Sequence, residues 1–451
     1  MPTLIGLIFL ISASYFLLKD DSDCLFGLLI FATLFHASSL VSGSFGIPLY
    51  YVVAPAFILQ SFLRRNGKVS VFKGKRWLLA FGLFGISSAI CFPLLFPGVG
   101  VYDPKIGIDS GFLERVPLHL NGGNFVQAGC LGVSVLVIFA SGYRTVSVEL
   151  SEKVLNWAFY TLVSIIAIQF IFLRVGIPFP YSLINNNNAY LLGNPDLARG
   201  MFRPNGTYAE PSLAGATLTA FTAAFFAEFM KGKKALKKLT LGVLAVLVVS
   251  STSSILALVV SMVAISTGHP IVRQGFVDLT RLKRLSILVA FVVLVAVALM
   301  IPPVRDSLVE QTVEKGASHS FLVRTAADFY AVQLASETKW IGVGLGSNRP
   351  SSLLASLVSN TGLAGLLLFL IMFVLVVRNC PPDKPAIKWM AWTLLINMAL
   401  GIPDITYPFL WLLMAMAVLT SKSASVDERI YANVLRPSLP PPRFEPHTSP
   451  R

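Results

Sequence analysis

Charge is scarce in this chain. Asp, Glu, Lys and Arg make up 13% of 451 residues, against roughly 25% in a soluble globular protein. That deficit excludes a soluble enzyme and a disordered protein. Acidic residues are scarcest, 22 against 36 Lys and Arg, for a formal net charge of +14. In an apolar chain a basic excess marks cytoplasmic loops, so it does not point to a nucleic-acid partner. Cysteine is limited to Cys24, Cys91, Cys130 and Cys380, all in or beside apolar runs. No CxxC or Cys/His cluster exists, so neither a zinc site nor a disulfide framework is expected. The first residues lack a basic run and an AxA site, so the first apolar run reads as a span rather than a cleaved signal. No internal repeat is visible, which weakens an inverted-repeat transporter reading.

What the chain has is apolar residues, 55% of the total, with mean hydropathy +0.73. A helix needs about 20 apolar residues to cross a ~30 Å hydrocarbon layer. Runs of that kind occur at 3–18, 24–41, 45–63, 77–96, 125–141, 154–177, 211–230, 285–303, 362–378, 387–402 and 405–420. The run 239–266 is interrupted by Ser250, Ser251, Thr252, Ser253 and Ser254 and has basic residues on both flanks, Lys231–Lys238 and Arg273–Arg284. Basic flanks belong on the cytoplasmic side, so the run is predicted to enter and return as two short helices, 239–250 and 252–266. The alternative is one long tilted helix. The expected fold is therefore an all-α polytopic membrane protein of about 12–13 transmembrane helices, residues 1–435 forming one membrane domain. The N-terminus is expected outside, with the Pro-rich tail 436–451 disordered on the cytoplasmic side.

Three long loops fall on the external face: 97–124, 178–210 and 304–361. The second ends in Arg199-Gly-Met-Phe-Arg203-Pro-Asn-Gly206-Thr-Tyr208-Ala-Glu210-Pro211-Ser212. Pro211 suits the first position of a helix, which places Glu210 at its N-cap. Gly206 permits a turn that returns Arg203 over that helix end. An arginine–carboxylate clip is the plain structural reading. The third loop carries His319 and then Arg324 at the start of a helical pattern (Val323, Ala327, Tyr330, Leu334). It continues through Gly342, Gly344, Gly346, Ser347, Asn348 and Arg349 to a second helix opening near Pro350. A glycine-rich loop before a helix N-terminus can cradle phosphate with backbone N–H groups. It can equally be a connector. Without a preceding strand or GK[ST] it is not a nucleotide motif. Several arginines beside such a loop, bordering lipid, point to a lipid-linked diphosphate ligand.

Two segments carry a family resemblance: Arg203-x-x-Gly206-x-x-x-Glu210-Pro211-Ser212 opening a span, and Arg324 followed by Gly342-Val-Gly344-Leu-Gly346-Ser-Asn-Arg349 and a Gly362-x-x-Gly365 span. Together they resemble the bacterial O-antigen polymerase/ligase family (Wzy/WaaL-like), closest to the exopolysaccharide repeat-unit polymerases. The resemblance implies a GT-C-like fold in the bacterial inner membrane, with its active face periplasmic. It also implies glycosyl transfer from an undecaprenyl-diphosphate-linked glycan to an acceptor repeat unit, without metal, cofactor or nucleotide sugar. A flippase and a chain-length regulator are the implied partners. Ligases of this family carry a histidine close to the membrane helix after the long loop. Here the nearest is His319, well upstream, which favours polymerase over ligase.

On this reading Arg203 and Arg324 clamp the diphosphate, with Arg349, Gly344, Gly346 and Asn348 assisting and Arg199 in reserve. Glu210 is the candidate base or orienting carboxylate, with His319 the alternative. Tyr208, Tyr190, Trp340 and Asn185–Asn188 are candidate sugar contacts. His36 and His269 are read as incidental, and Asp404 as a turn cap. A flippase without chemistry, or a structural partner in an export complex, is the rival class.

Overall fold

The computed structural model describes residues 1–43, 46–63, 72–103, 114–143, 146–187, 203–268, 319–382 and 384–434. The predicted span 285–303, Arg199, Tyr190 and the tail 436–451 lie outside them.

The helices in chain order are α1 (Leu4–Lys19), α2 (Ser22–Leu34), α3 (Leu49–Leu63), α4 (Lys75–Leu95), α5 (Gly122–Tyr143), α6 (Val148–Val175) and α7 (Pro211–Met230). Then follow α8 (Leu236–Val249), α9 (Thr252–Gly268), α10 (His319–Glu337), α11 (Leu353–Val377), α12 (Pro385–Gly401) and α13 (Pro408–Val434). Five of these, α4, α5, α6, α7 and α11, are long and apolar enough to cross a membrane. Shorter apolar helices, α1, α2, α3, α9 and the first half of α13, pack among them. The chain is thus an all-helical polytopic membrane protein, with one addition. Part of the loop 97–124 forms a two-stranded antiparallel hairpin, β1 (Gly100–Tyr102) with β2 (Arg115–Pro117), which periodicity did not reveal.

Local chemistry sets the helix ends. Thr3 caps α1 by accepting from the Gly6 amide, Asp21 caps α2 from Cys24, and Ser147 caps α6 from Leu150. Each satisfies an amide that a helix start leaves unpaired. Pro211 and Pro385 open α7 and α12 at positions where no N–H is needed.

Side-chain ties sort the connections into two ends. At one end the Asp23 carboxylate accepts from the Ser147 amide at 2.7 Å, and Lys384 pairs with Glu152 at 3.5 Å. Lys238 Nζ donates to Asn156 at 2.7 Å, Lys231 to the Pro382 carbonyl, and Asn379 exchanges bonds with the Lys73 backbone. The acidic 20–23 turn therefore shares an end with the basic segments read as cytoplasmic. The chain reversal predicted within 239–266 is present. Ser250, at φ 51°, ends α8; α9 leaves from there, and both helices pack on α7, with Ser254 against Gly215 and Gly242 against Thr222.

Two predicted spans are shorter than expected. The runs 24–41 and 45–63 contain helices only over Ser22–Leu34 and Leu49–Leu63. After α2 the chain is irregular, and within it His36, Ala37, Ser38 and Ser39 are buried, the last three fully enclosed. Irregular backbone away from water needs partners. Here Ala37 bonds Thr207, Asn186 and Asn187, and Ser39 bonds Asn186. Asn186 and Asn187, from the run read as candidate sugar contacts, tie the 35–39 segment to the rest at this point, and Asn188 lies outside the described residues.

Candidate functional site

The other end of the bundle gathers the segments that carry the polar sequence motifs. Gln169 on α6 clasps Gly206, donating to its carbonyl at 2.9 Å and accepting from its amide at 2.7 Å. Gly206 sits at φ 62°, and a Cβ there would press on Leu162 and Ile166. The turn it forms does return Arg203, but onto a different helix. The guanidinium donates through Nε to the Val249 carbonyl at 3.3 Å and through Nη2 to Ser250 at 2.7 Å. It therefore caps the C-terminus of α8, where a cation offsets the helix dipole. Glu210 does occupy the N-cap of α7, with extended backbone, but its side chain makes no capping bond and accepts from Ser212 Oγ at 3.0 Å. In place of the arginine–carboxylate clip, the alternative reading of this motif, Arg203 and Glu210 each make these local contacts.

The third segment lies against the same end. Arg324 is half-buried on α10, and its carbonyl accepts from Ser351 Oγ at 3.3 Å. Asp328, one turn on, accepts from the Ser351 and Ser352 amides at 2.7 and 3.2 Å. This fixes α10 across the start of α11, which Ser352 caps. Tyr330 from α10 donates to the Gly100 carbonyl at 2.7 Å and stacks beneath Arg115, 3.9 Å from the ring centre. Val101, Tyr102, Leu118, Ala327, Leu334 and Val343 complete a small second core here. His319 opens α10.

The glycine loop is a packed structural element. Gly342, Val343 and Gly344 donate to Thr338 Oγ1, the Ser359 carbonyl and the Asn360 carbonyl. The Ser347 and Asn348 amides both donate to Asn360 Oδ1, at 3.2 and 2.9 Å. Asn348 itself donates to Ser359 and accepts from the Tyr102 amide. A Cβ on Gly344 would sit 2.7 Å from Pro93, and one on Gly346 2.9 Å from Gln127. Most of the amides that a phosphate cradle would need are already used within the fold, those of Gly344 and Asn348 among them, and Gly346 packs closely on Gln127. Asn360 was missed, although an asparagine within an apolar run is itself a signal.

The centre of this end is a cluster that the sequence reading did not assemble. His36, in the irregular segment after α2, stacks on Tyr208 with ring centroids 5.8 Å apart and meets Tyr407 at 5.5 Å. Tyr407 Oη and Thr217 Oγ1 lie 3.2 Å apart. Asp404 is held by the Thr406 amide at 2.9 Å and the Thr406 hydroxyl at 2.8 Å. That is the predicted turn cap, but it also fixes a carboxylate beside His36. Thr406 Oγ1 approaches Gln127 on α5 at 3.0 Å, and Tyr51 Oη bonds the Thr406 carbonyl. Tyr208, read as a candidate sugar contact, is fully enclosed and forms the aromatic floor of this cluster. The signal for His36 was present as an ionisable residue inside an apolar run.

Burial drives the electrostatics of this cluster. It pushes the Tyr208 and Tyr407 phenols up, and it holds His36 down at about 4, with Asp404 pulling upward and Arg349 further down. A histidine neutral in the fold takes up protons on unfolding between its free value of about 6.5 and about 4. Stability is therefore fully present above the free value and falls as pH drops through that window. The thermal midpoint in detergent is expected to decrease from pH 7 to pH 5, with a shallower slope for His36→Gln; parallel slopes would refute a buried neutral histidine.

No protein-family model matches this chain, and the search of characterised proteins finds no match. What the fold itself defines is a helical, multi-pass membrane protein with a structured polar end.

Proposed function

We propose that this chain is a GT-C-like membrane glycosyltransferase that polymerises lipid-linked oligosaccharide repeat units in exopolysaccharide or O-antigen biosynthesis. The donor is an undecaprenyl-diphosphate-linked glycan, the acceptor another lipid-linked repeat unit, and the active face periplasmic in the bacterial inner membrane. A flippase and a chain-length regulator of the same pathway are its partners. The observation that carries this reading is a structured polar end on an apolar bundle: Arg203 is fixed on the end of α8, Arg324 lies where α10 crosses the start of α11, and the charge of Arg349 reaches His36. An amphiphilic diphosphate needs such a place. Its lipid stays among apolar helices while guanidinium groups meet its charge. Cleavage of the anomeric bond leaves negative charge on the diphosphate, which preorganised cations stabilise. Glu210, half-buried at the start of α7, orients the acceptor sugar.

A flippase requires charged groups along a path through the spans. Among the described residues no Asp, Glu, Lys or Arg is buried, which favours an interfacial enzyme. Deleting the protein is expected to abolish polymer while single lipid-linked repeat units accumulate in the outer leaflet. Units confined to the inner leaflet would select a flippase, and complete glycan lacking only transfer to lipid A core would select a ligase.

A further inference from the structure

His36, Asp404 and Arg349 come from three distant stretches of the sequence, and none of the recognisable motifs includes His36. Yet its ring touches Tyr208, two residues from Glu210 and five from Arg203, and it touches Tyr407, three residues from Asp404. Of the described histidine side chains, His119 is exposed on the hairpin side and His36 is 6% exposed at the centre of the arginine-bearing end. Two features indicate a polar occupant beside it. Tyr208 Oη is fully buried beside the Tyr407 and Thr217 hydroxyls, with no well-aligned hydrogen bond among the described residues. The Asp404 carboxylate, partly buried, is held in one place by two bonds from Thr406.

We propose that His36 is the proton acceptor for the attacking sugar hydroxyl, with Asp404 as its positioning anion and Tyr208 contacting the same hydroxyl-rich ligand. This rests on the glycosyl-transfer reading above and deepens it. In the step, the acceptor oxygen bonds to the anomeric carbon as that carbon's bond to the diphosphate oxygen breaks. The electron pair leaves with the diphosphate, and the hydroxyl proton passes to the His36 imidazole and later to water. Burial keeps the imidazole neutral, which is the form that accepts a proton. Asp404 then stabilises the imidazolium. Arg349 opposes that charge; a diphosphate beside Arg349 cancels its field and raises the proton affinity of His36 when donor binds. His36 is thereby a base that donor binding switches on.

The test uses the full-length protein as wild type, His36→Asn, His36→Gln and Asp404→Asn. Asn at 404 can still accept from Thr406, so it keeps the turn and removes only the charge. Undecaprenyl diphosphate is the binding probe, read as a thermal shift in detergent. Turnover is read as polymer formed in vesicles from lipid-linked repeat units extracted from the deletion strain. Both His36 variants are expected to keep the shift and to lose at least ~100-fold in polymer formation, the scale of a general base, with Asp404→Asn losing less. Undiminished polymer from either His36 variant overturns the assignment. So does loss of folding in both, which makes His36 a packing residue only. If the deletion strain yields no lipid-linked repeat units, the glycosyl-transfer reading itself fails, and the two failures are separate.

Discussion

Arg203→Ala is expected to abolish polymer while the protein stays in the membrane. The guanidinium engages the Val249 and Ser250 carbonyls at the end of α8, so it is held in one orientation before any ligand arrives. A preorganised donor aimed at developing charge is worth about 10²–10³-fold in rate. The structural cost is smaller, about 1–3 kcal/mol for hydrogen bonds made by a charged group, so thermal stability should fall modestly. Arg203→Lys keeps a cation but not the two-pronged contact, and should recover stability better than activity. Arg324→Ala should lose polymer without the α8 penalty, because the bond tying that position to Ser351 is made by its carbonyl. Normal polymer from both alanine variants would remove the diphosphate clamp.

Gly362→Ala is expected to be the most destabilising of the simple glycine substitutions. Gly362 interrupts α11 with φ 66° and ψ −173°, a region open essentially to glycine. A Cβ there would strike the carbonyl oxygens of Trp340 and Ile341, which are backbone and cannot swing aside. Relief requires the 340–348 loop to leave its place against α11, breaking Leu363 N–H to Trp340, Val343 N–H to Ser359 and Gly344 N–H to Asn360. The combined loss is about 4–5 kcal/mol, the range of severe single substitutions. Protein in the membrane fraction should drop sharply. Gly129→Ala, in a helix with open space around it, is the control and should be neutral or gain up to ~1 kcal/mol. Equal melting temperatures for the two variants would show that the kink is not what holds the loop.

Much of the architecture was legible because it depends on local pattern. Twenty-residue apolar runs give spans, basic clusters give shared ends, and the serine interruption between two basic flanks gives the α8–α9 reversal. Pro211 fixed the start of α7, and the pattern from Val323 to Leu334 fixed α10. Errors arose where partners are remote. The runs 24–41 and 45–63 look like complete spans, but the chain leaves the helix after Leu34, where Thr207, Asn186 and Asn187 supply the backbone bonds of Ala37 and Ser39. The glycine loop resembled an anion cradle because nothing in its own sequence shows that Asn360, twelve residues beyond Asn348, occupies its amides.

The sequence by itself determined that the chain belongs in a membrane, which segments share an end of the bundle, and which arginines stand at the polar end. Those properties follow from hydropathy and charge, which each residue carries wherever it is placed. Only the tertiary structure decided which helix Arg203 caps, and that His36 meets Tyr208 and Tyr407 within the field of Asp404. Those depend on the packing of helices far apart in the chain, where a buried polar group is satisfied by whichever partner the fold brings within reach.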